Sequence, residues 1–455
     1  MKKTLIRALS FFLTLTLFTT ALLPGAAAVE YPGIEPVTLE ATASLLVDMD
    51  TGQVLHEVNA DEMRYPASIT KVMTALLILE AVERGEMSLD QMVTASEGAV
   101  NAVPWYGSNA GIKAGEQMRL KDLLYCMMLV SANEACNIVA EAAAGSTNAF
   151  VDRMNVRAQE LGMVNTHFVN THGLHDPDHY TTAWDLYLLG REALKNETLM
   201  TICNTLAYDV PATNMNSSRE LHTTNSLISN WRILGYLYKG AEGIKTGSTE
   251  EAGYCLLSSA TRSGRRLVCV VLGCDGAGAT VESFSDSAKL YDYGFYSFST
   301  KTILSDDELI AEVPVALSKE TNYVVVHPAD DAQTILPNDV DPASLERTVT
   351  LTDEVAFAPI TKGQILGEIT LTHDGRVCAT VPLLAQFDVN ASKFLTAKYQ
   401  VEQFFAQTIV KIVLVVLVLL VAAIVIWWKF FRRNRRYGSS SRRGRRSRSY
   451  RGRRR

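Results

Sequence analysis

Ser68 and Lys71 stand three residues apart in Tyr65-Pro66-Ala67-Ser68-Ile69-Thr70-Lys71-Val72-Met73, and together they offer a nucleophile and a base. A hydroxyl is a weak nucleophile at neutral pH and needs a proton acceptor; an amine serves only where burial or a neighbouring cation keeps it neutral. Two further groups could complete such chemistry. Ser131-Ala132-Asn133 ends an apolar run and presents a second hydroxyl and an amide, while Lys245-Thr246-Gly247 occurs once in the chain and is followed by Ser248. A lysine, a hydroxyl and a glycine on one strand suit an anionic ligand, through charge, a hydrogen bond and open backbone.

The elements that must hold these groups are legible from periodicity. Proline favours the first turn of a helix, and Ile69, Val72, Met73, Leu76 and Leu79 follow at the spacing of one helical face, so Ser68 opens a buried helix with Lys71 on its own side one turn on. Ala43–Val47 and Gln53–Leu55 read as strands joined at Asp50-Thr51-Gly52. The stretch from Leu89 to Ala144 reads as largely helical, and further helices are expected over Thr147–Leu161, over Thr181–Leu194 with Thr182 as cap, and over Ser285–Tyr293. Strands are expected at Gly243–Gly247, Gly253–Ala260 and, after a turn at Ser263-Gly264, Arg266–Leu272. Helices enclosed by strands predict an α/β (α+β) domain over 38–300, with an antiparallel sheet flanked by helices. Beyond Lys301 the strands are short and alternating, at Leu309–Val315, Tyr323–Val326, Arg347–Leu351, Gly367–Leu371 and Arg376–Val381; they predict a small all-β domain over 301–390.

Both ends of the chain carry membrane signals. Lys2, Lys3 and Arg7, the apolar run Phe11–Leu23 and Ala26-Ala27-Ala28 read as a signal peptide over 1–28. After a linker at 391–411, the uncharged run Ile412–Trp428 is just long enough to cross a bilayer. The tail 429–455 holds 14 Lys or Arg and no acid, which keeps it cytoplasmic and the body of the protein outside. Without the three basic residues of the leader and the 14 of the tail, 26 of the 43 bases remain against 49 acids, so the exported part is near −23. Such a surface disfavours nucleic acid, and the tail is expected to meet anionic lipid. Seven scattered cysteines suggest neither a metal ribbon nor a disulfide framework.

In order, Ser68-x-x-Lys71, Ser131-x-Asn133 and Lys245-Thr246-Gly247 match the three motifs of penicillin-binding proteins and β-lactamases, with Ala132 in place of the usual middle Asp. The surrounding text resembles the D-alanyl-D-alanine carboxypeptidases, the low-molecular-weight penicillin-binding proteins, at Pro66–Lys71, Asn170-Thr171-His172-Gly173-Leu174 and Gly243–Thr249. Lys362–Glu368 with Val381-Pro382-Leu383 resembles that family's C-terminal β domain. The resemblance implies a transpeptidase/β-lactamase-like fold and hydrolysis of the bond between two D-alanines of peptidoglycan stem peptides, with β-lactam antibiotics as inhibitors. It implies that Ser68 attacks, Lys71 takes the proton, Ser131 relays a proton to the leaving amine, Asn133 binds substrate backbone, Lys245 supplies positive potential and Thr246 binds the terminal carboxylate. It further implies that the N–H groups of Ser68 and Ser248 form the oxyanion hole. Lys245 is also expected to lower the pKa of Lys71 by like-charge repulsion.

The sequence departs from the family at Trp184, where an arginine is common, and at Ser248, where some members carry histidine; Arg266 is a candidate to replace the missing cation. His172, His175 and His179, with Asp176 and Asp178, are metal-ligand types, but their stretch matches a family loop, and no metal or cofactor is expected. Three alternatives share parts of the pattern: a β-lactamase, a D,D-endopeptidase and a non-catalytic peptidoglycan-binding anchor. No Glu-x-x-Leu-Asn stretch follows Ser131, and Glu160, the nearest candidate, fits it poorly, which disfavours a class A β-lactamase. The retention of Ser68, Lys71, Ser131 and Lys245 disfavours a retired site.

Overall fold

The structure is a computed structural model that describes residues 31, 34–277 and 280–437; the leader and the end of the basic tail lie outside these residues. The described residues divide into two compact units, one comprising those up to 301 with 334–341, the other 302–333 with those from 342 onward.

The first unit is built on five antiparallel strands: β1 (Ala43–Asp48), β2 (Val54–Val58), β7 (Ala241–Thr249), β8 (Gly253–Arg262) and β9 (Arg265–Cys274), in the order β2-β1-β9-β8-β7. Strands β8 and β9 each bury six consecutive residues, so both faces of the sheet are covered. Alternation along each strand sends side chains to two separate cores. Leu45, Val47, Val268, Val270 and Leu272 face a helical layer, whereas Leu46, Leu267, Cys269 and Val271 face α8 (Glu282–Ser297) through Phe284, Leu290 and Tyr291.

The helical layer comprises α1 (Thr70–Glu83), α2 (Glu97–Asn101), α3 (Leu120–Leu129), α4 (Asn133–Ala144), α5 (Thr147–Glu160), α6 (Ala183–Ala193) and α7 (Glu197–Cys203). Helix α1 is buried nearly all round, which explains why apolar residues occupy most of its positions. Thr182 caps α6 by accepting a hydrogen bond from Asp185 N at 3.0 Å, as its spacing predicts. Leu89–Ala144 is less helical than expected. It contains the paired strands β3 (Met92–Thr94) and β4 (Gln117–Arg119), and 102–116 forms a loop. Pro104 and Gly107 break the helical pattern there, and Gly111 and Gly115 adopt positive φ, a conformation available to glycine without steric cost. A second small hairpin, β5 (Ala207–Val210) with β6 (Arg219–His222), leads back toward β7. All seven cysteines are free thiols, six of them buried.

The second unit is a six-stranded sheet of β10 (Ala311–Ala316), β11 (Tyr323–Pro328), β12 (Glu346–Leu351), β13 (Ala356–Phe357), β14 (Ile365–His373) and β15 (Arg376–Ala385), in the order β12-β14-β15-β11-β10-β13. Its core is a set of period-two positions, among them Val313, Val315, Val324, Val326, Ile369, Leu371, Val381 and Leu383. The stretch expected as a linker is instead mostly helical: α9 (Lys393–Ala406) starts at Ser392, whose hydroxyl accepts from Leu395 N at 3.5 Å, and it buries no residue. Helix α10 (Thr408–Tyr437) follows at once. Neither glycine nor proline interrupts that text, so the helix outruns the expected 412–428 at both ends. Its segment Thr408–Arg432 is long and apolar enough to cross a membrane.

Candidate active site

Ser68 sits on a single tight turn, Ala67–Ile69, that runs directly into α1. Two glycines let other segments close on this turn. A Cβ at Gly247 would lie 3.0 Å from Pro66 O and 3.1 Å from Ser68 N, so the glycine of Lys245-Thr246-Gly247 admits β7 to the backbone of Ser68. A Cβ at Gly173, whose φ is +87°, would fall 1.8 Å from Ala67 O. Gly173→Ala must therefore displace the Ser68 turn, and we expect a loss of about 3–5 kcal/mol of stability. A thermal melt checks it against Gly264→Ala, also at positive φ (+86°) but with nothing within 4 Å, for which about 1 kcal/mol is expected.

Lys71 is fully buried, and its ammonium donates to Ser68 Oγ at 2.8 Å, Asn133 Oδ1 at 2.7 Å and the His172 carbonyl at 2.6 Å. Burial pushes its pKa down to about 8. The like-charge effect expected from Lys245 is not what dominates. Lys245 is 2% exposed, donates to Thr246 O at 3.0 Å, and is itself held down to about 7, by burial first and by the charge of Lys71 second.

The loop from Thr166 to Thr181 supports this arrangement through neutral histidines. His179 Nδ1 accepts from Val169 N at 3.1 Å, which leaves Nε2 to donate to Thr70 Oγ1 at 2.9 Å; that hydroxyl donates in turn to Ala67 O at 2.8 Å. His172 Nδ1 accepts from Leu174 N at 3.2 Å. Burial lowers His179 to about 4 and His172 to about 3, so both stay uncharged at neutral pH.

Ser131 connects α3 to α4 with φ of +61°, and its buried Oγ has no hydrogen-bond partner among the described residues. Asn133 opens α4, and its N–H donates to Ser108 O at 2.8 Å. Thr246 Oγ1 lies 2.7 Å from Thr224 Oγ1. Ser68, Ser108, Ser131, Thr224, Thr246 and Ser248 line one cleft of about 630 Å³, with Arg232, Tyr254 and Phe284 also on its wall. Lys71, Asn133 and Lys245 are buried behind it.

All seven residues singled out in the sequence therefore converge. Two others do not: Arg266 pairs with Glu242 at 3.2 Å and donates to Thr261 Oγ1 at 3.2 Å on its own hairpin, away from the cleft, and Trp184 packs against the helical core. Thr224, Arg232 and Ser108 carry no motif and are visible only in three dimensions. The His172 carbonyl is a backbone group, which residue identity alone cannot flag.

A hydroxyl against a buried amine, at the meeting of an antiparallel sheet and a helical layer, with a Lys-Thr-Gly strand along the cleft, defines a serine hydrolase of the penicillin-binding type. Residues 29–276 match the family described as D-alanyl-D-alanine carboxypeptidase, and 298–391 match the C-terminal domain of penicillin-binding protein 5. The chain belongs to the D-alanyl-D-alanine carboxypeptidase family. It is 33% identical over 357 residues to the D-alanyl-D-alanine carboxypeptidase DacF of Bacillus subtilis, covering 78% of this chain and 88% of the relative. Against DacC of Escherichia coli it is 32% identical over 371 residues, 79% of this chain and 87% of the relative. Among solved structures, penicillin-binding protein 5 of Haemophilus influenzae superposes with a TM-score of 0.61 at 29% identity, over 79% of this chain and all of that one. The carboxypeptidase DacD of Francisella tularensis gives 0.64 at 27% identity, over 83% and all.

Proposed function

We propose that the chain is a membrane-anchored D-Ala-D-Ala carboxypeptidase that removes the terminal D-alanine from peptidoglycan stem peptides through an ester on Ser68, and that β-lactams trap the same serine. The observation that carries this reading is the 2.8 Å contact between Ser68 Oγ and a fully buried Lys71. Neutral Lys71 takes the hydroxyl proton as Oγ bonds to the carbonyl carbon. The oxyanion then faces the N–H groups of Ser68 and Ser248, and the C–N bond breaks as the Ser131 hydroxyl delivers a proton to the departing amine. Water later attacks the ester and releases the shortened peptide. Asn133 Oδ1 accepts from Lys71, and its amide nitrogen turns to the substrate backbone; Thr246 binds the terminal carboxylate and Lys245 adds positive potential.

Labelling with a fluorescent penicillin tests this reading. A covalent adduct on Ser68 that outlives turnover of a D-Ala-D-Ala peptide supports it. Rapid loss of the adduct points to a β-lactamase, and no adduct points to a non-catalytic anchor.

The apolar helix over Thr408–Arg432, uncharged from Ile412 to Trp428, supports the anchor, with the catalytic unit exported and the basic tail in the cytoplasm. Ending the chain after Ala391 removes α9 and α10, neither of which contributes to the core of the second unit. We expect a soluble protein with full activity on a short peptide and reduced activity on intact wall, because the local concentration at the membrane is lost. Fractionation followed by a peptide assay checks it; an inactive or membrane-retained product contradicts it.

A further inference from the structure

An exopeptidase must distinguish a free carboxylate from a continuing chain. A carboxylate entering a cleft gives up hydration and needs a charge-assisted partner in return. The two lysines of the site serve this poorly by themselves. Lys71 already has three acceptors, and Lys245 is buried with its ammonium turned to Thr246 O; both lose protons in the range of about 7 to about 8.

Arg232 is different. It lies on the segment between β6 and β7, exposed, on the wall of the cleft that also holds Thr224, Thr246 and Ser248. No hydrogen bond or ion pair engages it among the described residues, although its charge is felt at Lys245. A guanidinium stays protonated at any physiological pH and offers two parallel donors to a carboxylate. The position is also braced on both sides. Trp231 stacks on His222, with ring centroids 3.6 Å apart and planes 13° from parallel, and Ile233 packs against the second core of the unit.

We propose that Arg232, beside Thr246 and Thr224, receives the C-terminal carboxylate of the substrate and thereby sets the preference for the last peptide bond over an internal one. This rests on the carboxypeptidase reading of the same site. Arg232 is in this sense a specificity residue, since the bond-making atoms belong to Ser68 and its neighbours.

The test uses the full-length protein in detergent, with Arg232→Ala, Arg232→Gln and Arg232→Lys. Its substrates are a blocked tripeptide ending in D-Ala-D-Ala as the free acid and the same peptide as the C-terminal amide. Loss of one charge-assisted pair corresponds to roughly 10- to 100-fold. For the Ala and Gln variants we expect that loss in kcat/KM on the acid, carried mainly by KM, with the amide unchanged, so that the wild-type preference for the acid collapses. Lys should restore part of it. The same stoichiometric endpoint of penicillin labelling in every variant shows that the site is folded. An acid-to-amide ratio that stays at the wild-type value overturns the proposal, as does an equal loss on both substrates. So does a loss that depends on whether the third residue carries a side-chain carboxylate or an amine, since Arg232 would then serve that group. A wild-type protein that takes no penicillin and cleaves neither peptide overturns the carboxypeptidase reading itself, which separates the two failures.

Discussion

Ser68→Ala is expected to abolish penicillin labelling and to lower release of D-alanine by at least ~10³-fold, with little change in the melting temperature. Among the described residues the Ser68 hydroxyl is set against a buried amine, and its removal takes away the atom that forms the ester in the proposed mechanism. The turn that carries it loses nothing else, because it is held by Thr70 Oγ1 on Ala67 O and by the close approaches of Gly173 and Gly247. Gel fluorescence after incubation with labelled penicillin, together with a D-alanine assay, reads both effects. Persistent covalent labelling of the variant would move the nucleophile to another residue.

The second large effect concerns Lys71. Lys71→Arg should reduce acylation by about 10²- to 10⁴-fold, because a guanidinium remains protonated and cannot accept the hydroxyl proton. For the wild type, the sign of the pH dependence follows from the lowered pKa. The active form is the neutral amine, whose fraction falls as pH drops below about 8. Acylation should therefore climb about tenfold per pH unit on the acid side and flatten between about 7 and about 8, where Lys245 gives up its positive charge while Lys71 becomes neutral. His172 and His179 contribute no limb near neutrality, since burial holds them at about 3 and about 4. Stopped-flow acylation across pH 5 to 9 measures the profile. A flat profile, or an Arg variant at wild-type speed, removes Lys71 from the role of base.

Much of this arrangement is legible in the sequence, and the residues show why the rest is not. Ser68 and Lys71 are neighbours on one helix, so a spacing of three suffices to pair them. Ser131, Asn133, Lys245 and Thr246 announce themselves as short motifs, and the structure brings them to the same cleft. The sheet is legible because β8 and β9 are rich in apolar residues and separated by Ser263-Gly264. The second unit is legible because its strands alternate. What escapes is whatever depends on backbone or on irregular segments. The carbonyl of His172 binds Lys71 irrespective of the His172 side chain, and Arg232 lies on a stretch without periodicity. Arg266 has the right chemistry and the wrong partner, Glu242, because register along the hairpin decides where a strand residue points. The cause of the low pKa at Lys71 is likewise a matter of depth: a charge pair can be guessed from a motif, but complete burial by α4, the loop 166–181 and β7 cannot.

The three acceptors of Lys71 bear on how the molecule is assembled as well as on what it does. Ser68 is a local partner, but Asn133 and His172 lie 62 and 101 residues away along the chain. Contacts of that separation form late, because the chain must close long loops before they are rewarded. A chain with α1 formed but α4 and the His172 loop undocked has serine and lysine side by side in water, where the amine is an ordinary ammonium and the hydroxyl is inert. Under the proposed mechanism, reactivity at Ser68 is expected to switch on only when the last long-range elements dock. Covalent capture of a β-lactam is expected, in consequence, to count completely folded molecules and to pass over those that have merely acquired their helices.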